Sequence, residues 1–151
     1  MSLIGTILRM IVENSASKTS LDALCRQLEE TTDEISGRMT RAADTPANRA
    51  QAGHIIGMER WGSHRLRAAL ENPNAALVRD EYDTYRPPED LPISGLVQEF
   101  LQARAETIEL VDAARDQQDL RVLHNDLGKL SVRGWLSYLN SHAVMEAKRL
   151  K

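Results

Sequence analysis

The chain is poor in the residues that build sheets, staples and membrane spans. Only six of its 151 residues are aromatic, and Val plus Ile number 15 against 36 for Leu plus Ala, which leaves little material for a β-rich fold. Cys25 is its single cysteine, so an intrachain disulfide and a multi-cysteine zinc site are excluded, and a reducing cytoplasm suits it. An excess of positive charge is also missing. Lys and Arg total 19 against 22 Asp and Glu, a formal net charge of -3, so nucleic acid is not the expected partner. The apolar stretch from Leu3 to Val12 is interrupted by Arg9, follows no basic cluster, and is too short to cross a bilayer. These absences point to a soluble protein that keeps its N-terminus and has no membrane partner.

What remains is enough for one core. Hydrophobic residues make up 42% of the chain, and its length suits a single domain over residues 1–151. The composition predicts an all-α protein. A first strong helix opens at Thr19 or Ser20 and carries Leu21, Leu24, Cys25, Leu28, Thr32 and Ile35 on one stripe before Gly37. A second opens at Asp44-Thr45-Pro46, runs to about Leu70 and turns His54, Ile55, Met58, Trp61, Leu66 and Ala69 inward. A third begins near Ser94 and continues to about Ala114 through Leu96, Val97, Phe100 and Val111. Ser131 caps the fourth, which carries Val132, Trp135, Leu136, Leu139, His142, Ala143 and Leu150. Four such helices make a four-helix bundle, with residues 1–18 an apolar extension that could cover a partner subunit in a homodimer.

The second and third helices are separated by about twenty residues, well beyond an ordinary helix connection. Extended, such a linker reaches ~65 Å against ~30 Å for a twenty-residue helix, so it can return along the bundle and leave those helices parallel, up-down-down-up. The segment RDEYDTYRPPEDLP reads as an ordered strap, with tyrosines, acids and prolines mixed.

In the fourth helix, Glu146 falls near the middle of the apolar stripe, four residues after His142. A buried carboxylate needs a cation, a donor, a frayed helix end or a metal. The spacing of His142 and Glu146 lets both grip one ion, and in the crossover topology His54 lies at their level. The alternative is a set of hydrogen-bonded core residues. His64, about 280° around the helix from His54, is expected in solvent. Trp61 and Trp135 are expected to pack, Cys25 to act as a small hydrophobe, and Glu59 with Arg60 to form a charged pair or interhelix bridge. His124 reads as a turn residue bonded to backbone, or as a lip of the site.

Two segments carry a resemblance. GHIIGMERWGSHRL (Gly53 to Leu66) resembles the second-helix segment of DinB-like proteins, with Glu-Arg-Trp beginning five residues after a His. HNDLGKLSVRGWLSYLNSHAVMEAKRL (His124 to Leu150) is similar to that family's closing segment, where a His-x-x-Leu-Gly-x-Leu loop enters a helix with Arg-x-Trp-Leu and then a metal-binding His. The resemblance implies an up-down-down-up bundle holding a divalent ion with three histidines. His54 and His142 match the first two ligands; Glu146 stands where the family usually has His, which either retunes the site or marks a degenerate one.

The expected function is therefore a divalent-metal-dependent enzyme, with zinc or nickel at His54, His142 and Glu146 activating a water or a thiol. The family adds thiol-dependent S-transferases or isomerases, hence a low-molecular-weight thiol as a candidate partner, and an association with stress and DNA damage; hydrolysis is the further reaction type that an ion-activated water would supply. Tyr82, Asp83 and Tyr85 could reach the ion's open face. The alternative is a catalytically silent dimeric bundle that binds a small ligand or serves a structural role.

Overall fold

Ser20 and Thr45 start the helices assigned to them. In the computed structural model, which describes residues 3–74, 79–117 and 119–151, the Ser20 hydroxyl accepts the amide N–H of Ala23 at 3.1 Å and opens α2 (Leu21–Arg41), which follows α1 (Leu3–Ser17). Thr45 accepts from Asn48 at 3.2 Å and opens α3 (Pro46–Glu71), with Pro46 in the first turn, where no backbone donor is lost. Then come α4 (Ile93–Ala113), a hairpin of β1 (Arg121–His124) and β2 (Gly128–Ser131), and α5 (Val132–Ala147). Ser131 caps α5 by accepting from Gly134 at 3.0 Å. The protein is all-α in class, with the hairpin its only sheet among the described residues. Residues 75–78, at the start of the expected crossover, and residues 1–2 and 118 lie outside the described ones.

Several boundaries differ from expectation. The N-terminal stretch forms a full helix, α1. Gly37 does not end α2, because a mid-helix glycine costs only about 1 kcal/mol, and the four residues beyond it place Met39 fully in the core. Helix α4 does begin beside Ser94, at Ile93, with Pro92 preceding it and no side-chain cap bond. Helix α5 stops at Ala147, and Leu150 lies beyond it. Those last residues are tied down: Asn48 donates to the carbonyl of Lys151 at 2.6 Å and accepts its N–H at 3.1 Å. The hairpin pairs Arg121 with Ser131 and His124 with Gly128, whose φ of 75° suits a residue without a Cβ.

Two apolar clusters form the core. One gathers Leu28, Leu66, Trp61 and Trp135 with the hairpin's Val122 and Leu130. The other gathers Ile35, Met39, Ile55, Ile56 and Phe100. Contacts between helices follow a consistent order. Gln51, early in α3, bonds Glu146, late in α5, whereas Gly62, later in α3, accepts from the Trp135 indole, early in α5. Asp22, early in α2, meets Arg115 just beyond α4, and Thr31 meets Arg104. A Cβ on Gly62 would strike the Leu139 side chain, so this glycine sets how closely α3 and α5 approach.

The single inward stripe expected of α3 is an underestimate. Residues Ile55, Ile56, Gly57, Met58 and Glu59 are all buried, more than a full turn, so neighbours enclose α3 on every side at that level. The strap supplies the extra cover. A 3-10 turn over Tyr82–Tyr85 lies against α3, where a Cβ on Gly57 would come within 3.0 Å of the Tyr82 carbonyl. Asp80 anchors the strap: its Oδ1 accepts from the Trp61 indole at 2.9 Å and from Arg65 Nε at 2.8 Å, and its Oδ2 accepts from the Tyr85 hydroxyl at 2.7 Å. Among the described residues no helix is long and apolar enough to cross a membrane.

Candidate metal centre

Helices α3 and α5 bring His54, His142 and Glu146 together. Each offers one ligand atom, and the three atoms lie within 4.8 Å of one another. The two imidazoles stand with ring centroids 5.2 Å apart, and Tyr82 of the strap meets His54 edge-on at 5.1 Å. Both histidines are half-buried and Glu146 is buried. Loss of solvent lowers the His142 pKa to about 4, with the neighbouring His54 adding to the effect. His54 is also lowered, chiefly by burial and further by Arg86, while Glu146 and Asp83 pull the other way. Imidazoles held neutral have their lone pairs available, the state a metal ligand needs. Two imidazoles and one carboxylate within this span could hold a divalent ion.

The structure also gives Glu146 the donors that a buried carboxylate requires. Gln51 donates to its Oε2 at 2.8 Å and to its backbone carbonyl at 3.1 Å, and Arg149 donates to Oε2 at 2.9 Å. Glu146 is therefore neither unpaired nor at a frayed end. Both side-chain bonds fall on Oε2.

A cleft of about 150 Å³ opens over His54 and His142, walled by Trp61, Tyr82, His124 and Tyr138. His124 ends β1 and is a wall of the cleft at once: its Nδ1 accepts the amides of the turn residues Asp126 at 3.0 Å and Leu127 at 3.1 Å, and burial lowers its pKa to about 4. Burial pushes the Tyr138 phenol up to about 12. A larger cavity, about 490 Å³, lies against Glu13, Ser131 and Arg115, residues remote from the cluster.

Other expected residues fall elsewhere. His64 is exposed, beside the Tyr85 ring. Of the three strap residues, only Tyr82 touches the site. Tyr85 is turned to Asp80, and Asp83 bonds Arg86 at 2.6 Å. Glu59 and Arg60 do not pair with each other: Glu59 is buried against Arg104 and Thr107, and Arg60 bridges to Glu99. Trp61 and Trp135 pack together with centroids 5.3 Å apart. Cys25 is half-buried against the core, and burial raises its thiol pKa. Gln51 and Tyr138 were not anticipated at the site. Their helical spacing was a usable signal, since Gln51 precedes His54 by three residues and Tyr138 precedes His142 by four.

Compared with protein-family models, with curated proteins and with solved structures, the chain gave no match in any of the three searches.

Proposed function

We propose that this chain is a divalent-metal-dependent enzyme of DinB-like type, built on an up-down-down-up four-helix bundle of α2 to α5. The ordered contacts support the topology: Gln51–Glu146 and Gly62–Trp135 fit antiparallel α3 and α5, while Asp22–Arg115 and Thr31–Arg104 fit antiparallel α2 and α4. The resemblance of Gly53–Leu66 and His124–Leu150 supports the family. The observation that carries the function is the convergence of His54, His142 and Glu146 within 4.8 Å from two different helices.

Zinc and nickel are among the ions that two imidazoles and a carboxylate suit, and are the first to test. Such an ion would lower the pKa of a bound water or thiol and supply a nucleophile near neutral pH, for S-transfer or hydrolysis. The chain's own residues do the rest. His54 and His142 present neutral nitrogens, Gln51 fixes the Glu146 carboxylate through Oε2, and Trp61, Tyr82 and Tyr138 give the cleft apolar walls. The cleft's small volume suits the reactive end of a low-molecular-weight thiol more than a bulky substrate.

The test is metal stoichiometry after reconstitution with zinc and with nickel, for the unaltered protein and for His54→Ala, His142→Ala and Glu146→Ala. One ion per chain in the unaltered protein and loss in the histidine variants is the expected result. A second reading, a silent bundle, is favoured by one observation: Gln51 and Arg149 already satisfy Glu146 without an ion. Absence of binding by all four proteins would select it.

A further inference from the structure

Helix α1 is packed inside out. Its buried residues are the small Gly5 and Ala16, while Leu3, Ile4, Ile7, Leu8, Met10 and Ile11 are all exposed, the first two at 78% and 70%. Placed on an ideal helix, these six fall in one sector roughly 160° wide, opposite Gly5 and Ala16. The helix is nonetheless fixed to the body. Glu13 accepts the Ser131 amide at 2.6 Å and the Ser131 hydroxyl at 2.7 Å, at the start of α5. A chain that only needed to cover its own core with α1 would have turned the large side chains inward.

The exposed face continues into a groove of about 330 Å³ between α1 and α5, lined by Ile11, Val12, Tyr138, His142 and Met145. Met145 on α5 is itself exposed, so the apolar surface crosses from one helix to the next. The seven exposed aliphatic and Met residues present ~800 Å² in all, which is the ~800 Å² that each partner contributes to a standard stable interface. That exceeds the ~300–600 Å² of the largest apolar patch on a typical monomer.

We infer that this face is the interface with a second copy of the chain, the α1 helices packing on each other across a two-fold axis with each seated along the other copy's α1–α5 groove. A symmetric dimer uses the same patch on both sides, and a nearly uncharged apolar helix is its own complement. The charge pattern disfavours a lipid surface. Membrane-surface helices carry a Lys- and Arg-rich polar face, whereas α1 has Arg9 alone as its cation and commits Glu13 to Ser131. His142 and Tyr138 line both the groove and the metal-site cleft, so the second copy becomes the wall of the site on its α1 side. The dimer itself does not depend on an ion being bound.

Sedimentation of the full-length chain tests this, with Ile7→Lys, Ile11→Lys and Met145→Lys as breaking variants and Gln98→Lys, on the exposed side of α4, as control. The unaltered and control proteins should be dimers; each breaking variant should weaken self-association at least tenfold while keeping its helical circular dichroism. A monomeric unaltered protein overturns the inference, as does a dimer that survives Ile7→Lys and Ile11→Lys. Dissociation by the two α1 variants but not by Met145→Lys overturns the seating in the groove. Co-sedimentation of a monomeric unaltered protein with phosphatidylcholine–phosphatidylglycerol vesicles, lost in Ile7→Lys, assigns the face to lipid instead.

Discussion

His54 and Glu59 sit five residues apart on α3, and both put polar atoms into the helix interfaces, but their surroundings obey different rules. Around Glu59 the pairing is closed. Arg104 Nη2 donates to Oε2 at 3.0 Å, Thr107 donates to Oε1 at 2.8 Å, and Arg104 extends to the Leu28 carbonyl, Thr31 and Asn140. Arg104 Nε lies 2.9 Å from Oε1 without an aligned hydrogen bond. Both charged side chains are sealed from solvent, with 0% and 1% exposure. Around His54 the imidazoles are half-buried and kept neutral, and a cleft reaches them. The first arrangement uses charge to fix how α2, α3, α4 and α5 meet. The second leaves coordination capacity facing a cavity. One helix thus carries a sealed polar layer and, a turn and a half earlier, a half-open one that could hold an ion.

Breaking the closed layer should have the largest effect on stability. Arg104→Ala would strand Glu59 without its cation in a dry interior, and the expected loss is about 3–5 kcal/mol in urea unfolding. Replacing Glu59 and Arg104 together with Leu and Met should recover most of it, since an uncharged pair leaves no charge stranded. An equal loss in the double variant would mean that the layer does more than neutralise charge.

The open cluster should respond to ligand instead. Zinc at one hundred times its dissociation constant would raise the unfolding free energy by about 2.7 kcal/mol, visible in a thermal melt. His142→Ala should abolish that gain while changing the metal-free stability far less than Arg104→Ala does. Gly62→Ala probes the spacing on which both regions rest. Forcing a methyl into Leu139 should cost about 1–3 kcal/mol, by the same urea assay.

Acid should distinguish the clusters further. His142 and His124 are depressed from 6.5 to about 4, so the unfolded chain takes up protons that the folded chain refuses. Metal-free stability should be level above about pH 6.5, fall between 6.5 and 4, and stop falling on account of these groups below 4. His124→Leu should flatten part of that slope in unfolding measured pH by pH. The smallest effect belongs to His64→Ala, within ±0.5 kcal/mol and with no change in metal stoichiometry, because its side chain is in solvent.

These regions differed in how far they could be read from the sequence. His54, His142 and Glu146 were legible because ionisable residues at helical spacing interrupt apolar stripes, and helix caps such as Ser20, Thr45 and Ser131 announce themselves locally. Glu59–Arg104 was not legible. Its two members are 45 positions apart on different helices, and each has the composition of an ordinary solvated face until the packing is known. Helix α1 was read as an extension because its apolar residues follow no need of the core. The role of Asp80 depended on where the strap returns, a tertiary fact that no local pattern carries.

Asp80 also sets a rule for how the strap can come away. Its side chain receives bonds from Trp61, Arg65 and Tyr85, and its backbone carbonyl receives Asn125 at 2.7 Å. Hydrogen bonds from Tyr85, Arg65 and Trp61 outweigh the opposing effect of burial and keep its carboxyl below the usual range. Strap, α3 and hairpin are therefore joined at one point, and none of the three can release it alone. In hydrogen exchange the protected amides around Tyr82–Tyr85 and His124–Gly128 should exchange as one cooperative unit rather than by separate fraying. Tyr82 would leave His54 only in that same concerted opening, so access to the cleft from the strap side becomes all-or-none.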